Sequence, residues 1–257
     1  PEWHYTKNDK NTPIGFIGAG IFSAPFMFIG NLMSGVVNED ISSTILNYRH
    51  LLYSLSSVFY FFMTYLFLIK FLNLLKVNVN RYFILSILSG SGLSYFAFER
   101  FSMTHVYEAF TLSLLIYLLI SVYLQESRFT TIKIVLIPFV MFLSFITRMS
   151  NFYILLIPYL VNKVLKRNGH TLIFKLHKNI FFYISIAFSF LMYFQLSTIL
   201  YGELIFDPQK IYGTDLSPDS IITSNDGVFA LLLNSVRSSI IVFFSLEFGI
   251  FWISPII

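Results

Sequence analysis

Glu99-Arg100-Phe101-Ser102-Met103-Thr104-His105-Val106-Tyr107-Glu108 is a short polar knot between two long apolar runs. Residues 82–98 before it and 109–124 after it carry no charged side chain. The chain is 56% hydrophobic, with a mean hydropathy of +0.73. Two carboxylates, a guanidinium and an imidazole gathered in such a chain mark a turn. If the flanking runs cross a bilayer, the turn lies at one membrane face, and the fold follows from what else gathers there.

Composition sets the class. Charged residues make up 12% of the chain, against roughly 25% in ordinary soluble domains. Several runs approach the ~20 apolar residues that cross ~30 Å of hydrocarbon. A soluble fold would need a polar helix face that these runs do not have. The expected fold class is therefore all-α, a polytopic transmembrane helical bundle with interfacial helices on the outer face. There is no cysteine, so disulfides and thiolate metal sites are excluded. The net charge of +4 is ordinary for a membrane protein with basic loops and gives no argument for a nucleic-acid partner. The chain starts at Pro1 and stops at Ile257 inside an apolar run, so it reads as one transmembrane domain cut at both ends.

Residues 1–49 read as an outer loop. Within it, residues 13–30 are apolar but hold Gly15, Gly18, Gly20 and Pro25. That pattern predicts a glycine-rich turn followed by one or two short interfacial helices rather than a clean span. Residues 50–200 read as the membrane bundle, with spans at about 50–75, 82–98, 105–124, 132–147, 151–165 and 179–200. The fourth and fifth are short, each carries a proline, and at 1.5 Å per residue they reach only about 21–27 Å. Residues 201–227 form the longest polar stretch. Residues 228–248 read as an interfacial helix and 249–257 as the start of a further span. This placement keeps Glu247 out of mid-membrane, where it would cost about 2.5–3.5 kcal/mol.

Alternation of the spans divides the loops into two sets. Lys76, Arg81, Arg128, Lys133, Lys163, Lys166, Arg167, Lys175 and Lys178 crowd one side, which the charge rule makes cytoplasmic. Every Asp and Glu except Glu126 falls on the other side. The polar knot, the Arg148 turn and the two long polar loops then share an outer face.

Four stretches on that face carry a family resemblance. Residues 13–30 resemble the first-loop pattern of bacterial relatives of protein O-mannosyltransferases, membrane glycosyltransferases of the GT-C class. Glu99-Arg-Phe-Ser-Met-Thr-His105 is similar to the turn those proteins carry between paired spans. Thr147-Arg-Met-Ser-Asn151 resembles their Arg-Pro-Thr-Asn-like turn, with Met149 where proline is usual. Ser245-Leu-Glu-Phe-Gly-Ile-Phe-Trp-Ile-Ser-Pro255 is similar to their Ser-x-x-x-Gly-Leu-Phe-x-x-Ser-Pro signature. The resemblance implies a sugar donor linked to polyprenyl phosphate, a lipid, glycan or protein acceptor, and transfer at the outer face of a bacterial cytoplasmic membrane. It also implies a catalytic acid in the first outer loop, for which this chain offers Glu2, Asp9 or a residue upstream of Pro1.

Each candidate has a plainer alternative. Glu2 or Asp9 as base would take the proton of an acceptor hydroxyl; the alternative is a solvated loop. Glu99, His105 and Glu108 suit a divalent ion or a polar substrate, and His105 and Glu108 share one helix face; the alternative is an interfacial turn. Arg148 and Arg100 suit a phosphate, which a guanidinium binds through paired hydrogen bonds; the alternative is a membrane anchor. Glu247 completes the candidate binding set. A polyprenyl-linked glycan polymerase or ligase would share the donor chemistry and the membrane side. A transporter is disfavoured, because ionisable residues inside its spans are lacking.

Overall fold

The computed structural model describes residues 4–7, 10–13, 17–37, 48–101, 103–124, 130–173, 176–202 and 204. Its elements are two short strands, β1 (His4–Lys7) and β2 (Lys10–Pro13), and eight helices. These are α1 (Gly18–Val37), α2 (Tyr48–Leu74), α3 (Arg81–Gly90), α4 (Gly92–Phe98), α5 (His105–Leu124), α6 (Thr130–Thr147), α7 (Ile157–Arg167) and α8 (Ile180–Tyr201). Two 3₁₀ turns, Met149–Leu156 and Leu176–Lys178, precede α7 and α8. The architecture is all-α apart from the antiparallel hairpin, which pairs His4 with Pro13 and Lys7 with Lys10.

Among the described residues four helices, α2, α5, α6 and α8, are long and apolar enough to cross a membrane. The chain is an integral membrane protein. A helix such as α5, with 20 residues, spans about 30 Å, the thickness of the hydrocarbon core. The four are not equivalent. In the most apolar window of α5, 61% of residues are buried, against 22% in α2 and in α8. So α5 is the central post, and α2 and α8 turn broad apolar faces outward. On α8 these include Ile184, Phe188 and Leu191, all exposed, as lipid-facing residues should be.

Contacts along the helices give their directions. Ser56 shares a 2.9 Å hydrogen bond with the Tyr107 hydroxyl, and Phe67 packs on Tyr117, so α2 and α5 run in parallel. Lys133 Nζ donates to Ser121 Oγ at 2.6 Å, which sets the start of α6 beside the end of α5. The lower core is built from Leu115, Leu119, Ile134, Ile137, Ile154 and Leu165. The upper core centres on Phe22, which stacks on Tyr107 and meets Tyr60 and Phe110 edge-on.

Three expected elements take a different form. Residues 18–37 are one continuous 20-residue helix, not one or two short pieces after a turn. It runs antiparallel to α2, with Phe26 on Phe59 and Gly30 on Arg49, so it lies along the bundle. Its glycines serve packing: a Cβ on Gly18 would sit 2.5 Å from the Thr147 backbone nitrogen, and one on Gly30 would sit 2.8 Å from Arg49 Cα. Gly20, by contrast, faces open space.

The expected span at 82–98 is broken. Ser91 is extended, with φ −87° and ψ 161°, ending α3 and capping α4 by accepting from Leu93 N–H at 3.3 Å. Ser91 and its two flanking glycines favour a break over a continuous helix, because Gly and Ser both weaken helix interiors. The segment still returns along α2, with the Tyr65 hydroxyl on Arg81 O and Ser57 on Ala97 O.

The expected span at 151–165 is a 3₁₀ turn of eight residues followed by α7. The turn kinks at Asn151, with φ −76° and ψ 21°, and carries the chain away from the Arg148 end. That brings Pro158 O to the Tyr123 hydroxyl near the far end of α5, at 3.2 Å. The fourth span, α6, is continuous through Pro138. Proline has no N–H to donate along the helix, and Ser185 of α8 donates to the neighbouring Val135 O at 2.7 Å. The readings of 205–257, including the interfacial helix at 228–248 and the span from 249, lie outside the described residues.

Candidate functional site

The start of α5 and the turn after α6 meet at one end of the bundle. The Glu108 side chain, 16% exposed, is the hub. His105 Nδ1 lies 3.4 Å from its Oε2, one turn back on the same helix face. Arg148 Nη1 lies 3.9 Å from its Oε1, and Asn151 Nδ2 donates to the same oxygen at 3.5 Å. The knot and the Arg148 turn are therefore one site.

The local backbone explains how. Arg148 is extended, with φ −161° and ψ 120°, and ends α6 with its N–H still donating to Ser144 O at 3.2 Å. Asn151 N–H then donates to Arg148 O at 2.9 Å, which opens the 3₁₀ turn. The Asn151 amide is 3% exposed and donates to Ser144 O at 3.1 Å. It pins the turn back onto α6 while facing Glu108. Asn151 was legible as the last residue of the Thr147–Asn151 turn, opening an apolar run; its pairing with Glu108 needed the packing of α5 on α6. Tyr153, a further neighbour, lies within electrostatic reach of both Glu108 and Arg148.

Burial differs across the cluster. The Arg148 side chain is 44% exposed and that of His105 38%. Glu108 and Asn151 form the floor; Arg148 and His105 form the open rim, with the His105 ring 4.3 Å from that of Phe96. A guanidinium has five N–H donors, and one Arg148 nitrogen faces Glu108, leaving other N–H groups directed elsewhere.

Glu99 and Arg100 stand apart. Arg100 Nε donates to the Tyr95 hydroxyl at 3.1 Å, and Glu99 closes α4 through its backbone. Neither makes a side-chain contact with Glu108 or Arg148 among the described residues. Glu2, Asp9 and Glu247 lie outside the described residues. The divalent-ion option gains no third ligand, since among the described residues no three His, Cys, Asp or Glu side chains converge. Glu108 is instead occupied by a cationic side chain and an amide.

Below the turn an apolar groove of about 280 Å³ opens between α6, the 3₁₀ turn and α8. Pro138, Met141, Phe145, Ile154, Leu155 and Phe190 line it, with Ser189. Ser189 Oγ is buried without a hydrogen-bond partner. Ile154 and Leu155 belong to the turn that follows Arg148 and kinks at Asn151, so one segment carries residues of both the cluster and the groove.

These features define a polytopic helical membrane protein with a half-buried carboxylate hub and an open guanidinium at one end. Compared with known protein families, curated proteins and solved structures, the chain matches none.

Proposed function

We propose that the chain is a membrane-embedded glycosyltransferase. It transfers a sugar from a polyprenyl-phosphate donor to an acceptor at the end of the bundle that carries Arg148. The observation that carries the reading is the half-exposed Arg148 guanidinium at the head of an apolar groove. An amphiphile with a phosphate head and a branched hydrocarbon tail needs those two features in that order. The four family-like motifs supply the sugar.

In the proposed reaction a carboxylate base takes the proton from the acceptor hydroxyl. The hydroxyl oxygen attacks the anomeric carbon, and the bond from that carbon to the phosphate oxygen breaks. The leaving polyprenyl phosphate keeps the electron pair, and Arg148 neutralises the added charge, which is stabilisation where charge develops. Glu108 and Asn151 orient the guanidinium. The base is proposed in the first outer segment, at Glu2 or Asp9.

Polyprenyl monophosphate tests this without knowledge of the sugar. Arg148→Ala in the full-length protein should weaken its binding about tenfold or more, in line with the roughly 1.5–3 kcal/mol of a hydrogen bond to a charged group. Arg148→Lys should restore part of the affinity, since an ammonium is a point charge without the planar fork. Polyprenol lacking the phosphate should bind both variants alike. Equal binding of polyprenyl phosphate to wild type and Arg148→Ala overturns the reading.

A further inference from the structure

The opposite end of the bundle carries a different signal. Lys70, Lys76, Arg81, Lys133, Lys163, Lys166, Arg167 and Lys178 all belong to it by the helix directions above. The described residues include two carboxylates, Glu99 and Glu108, and both lie at the Arg148 end. Lys133 meets a serine hydroxyl and Lys70 lies over the Phe67 and Tyr117 rings, so even the engaged lysines have neutral partners.

Helix α7 concentrates this charge in an ordered way. Leu165 and the partly buried Val161 hold it against the lower core. Its outward face changes along the axis: Tyr159 and Leu160 in the first turn are exposed and apolar, Lys163 and Val164 follow, and Lys166 and Arg167 end the helix. From Tyr159 to Arg167 is about 12 Å along the axis. Leu155 and Leu156, just before α7, extend the exposed apolar part.

We infer that α7 is a binding surface for anionic phospholipid headgroups. The apolar first turn sits in the acyl layer, the lysine stems reach along it, and the cations of the last turn meet the lipid phosphates. Charge complementarity selects the occupant: a zwitterionic headgroup offers no net charge to this carboxylate-poor end. A basic segment near a membrane gains about 1 kcal/mol for each Lys or Arg, roughly fivefold in affinity per charge. The inference does not rest on the glycosyltransferase reading, and it assigns the α7 end to the leaflet richer in anionic lipid.

The test uses the full chain in nanodiscs of phosphatidylcholine doped with spin-labelled phosphatidylglycerol or spin-labelled phosphatidylcholine. The motionally restricted fraction of each label gives their relative affinity for the protein. Wild type should prefer phosphatidylglycerol several-fold, and Lys163→Gln/Lys166→Gln/Arg167→Gln should remove most of that preference. Lys163→Arg/Lys166→Arg keeps the charge and should retain it, which separates lost binding from lost folding. High salt should weaken the preference. Equal preference in wild type and the glutamine variant overturns the inference. So does loss of the preference to inorganic phosphate but not to chloride at matched ionic strength, since that marks a free-phosphate site.

Discussion

Arg148 Nη1 stands 3.9 Å from Glu108 Oε1, across the packing of α6 on α5. The distance is long for an ion pair, and one partner is open while the other is nearly covered. Such a pair holds direction more than energy. A half-exposed pair at this distance contributes about 0–1 kcal/mol. The buried Asn151 amide beside it has a different character, because it ties the turn to α6 through Ser144 O at 3.1 Å.

The two residues should therefore separate in mutagenesis. Asn151→Ala removes the amide donor to Ser144 O, which keeps the Arg148 N–H, and is expected to lower stability by about 0.5–1.5 kcal/mol. Arg148→Ala is expected to lower it by less than about 1 kcal/mol, leaving its effect on phosphate binding. Thermal unfolding in detergent reads both. An Arg148→Ala loss as large as that of Asn151→Ala would make the arginine a structural residue.

Gly18 and Gly20 give a second contrast within one turn of α1. Alanine is the better helix former by about 1 kcal/mol. At Gly20 the new methyl meets open space, so Gly20→Ala should be neutral or mildly stabilising. At Gly18 it meets the Thr147 backbone, which cannot rotate away. Overpacking of about 1–3 kcal/mol should then exceed the propensity gain. The melting temperature should fall in Gly18→Ala and hold or rise in Gly20→Ala. A stabilised Gly18→Ala would mean that α1 does not press on the end of α6.

Ser185 and Ser189 repeat the logic on α8. Ser185→Ala leaves Val135 O without its 2.7 Å hydroxyl donor from α8. A loss of about 0.5–1.5 kcal/mol is expected. Ser189 Oγ has no partner to lose, so Ser189→Ala should be neutral or stabilising. Guanidinium or heat titrations of both single variants decide the point; equal losses would show that Ser189 is satisfied in the folded protein.

Sidedness is open to chemistry because the chain has no cysteine. Met103 lies in the knot and is exposed, and Asn168 follows α7 at the other end. Met103→Cys and Asn168→Cys should react with a membrane-impermeant maleimide from opposite faces, with the Asn168 site reached only after permeabilisation. Reaction of both in intact cells would remove the two-ended arrangement of charge.

Much of this was legible from residue order. Runs of apolar residues near 20 long, almost free of charge, can be solvated only by lipid, which is why composition determined the membrane class and four of the long helices. Among the described residues, charge placement likewise separated the end that carries Glu99 and Glu108 from a lysine-rich one, because moving an ion across hydrocarbon is costly wherever the helices pack. His105 and Glu108 were readable as a pair from their spacing on one helix. What only the tertiary structure decided were the contacts between helices. Gly18 looked like a turn residue, but its role depends on Thr147 lying against it. The break at Ser91 and the 3₁₀ descent from Met149 depend on where α2 and α5 offer partners. The union of Glu108 with Arg148 and Asn151, and the exclusion of Glu99 and Arg100 from it, follows from the register of α5 against α6. Local sequence encodes which residues seek burial or water, whereas register is set by side chains interlocking across a shared core.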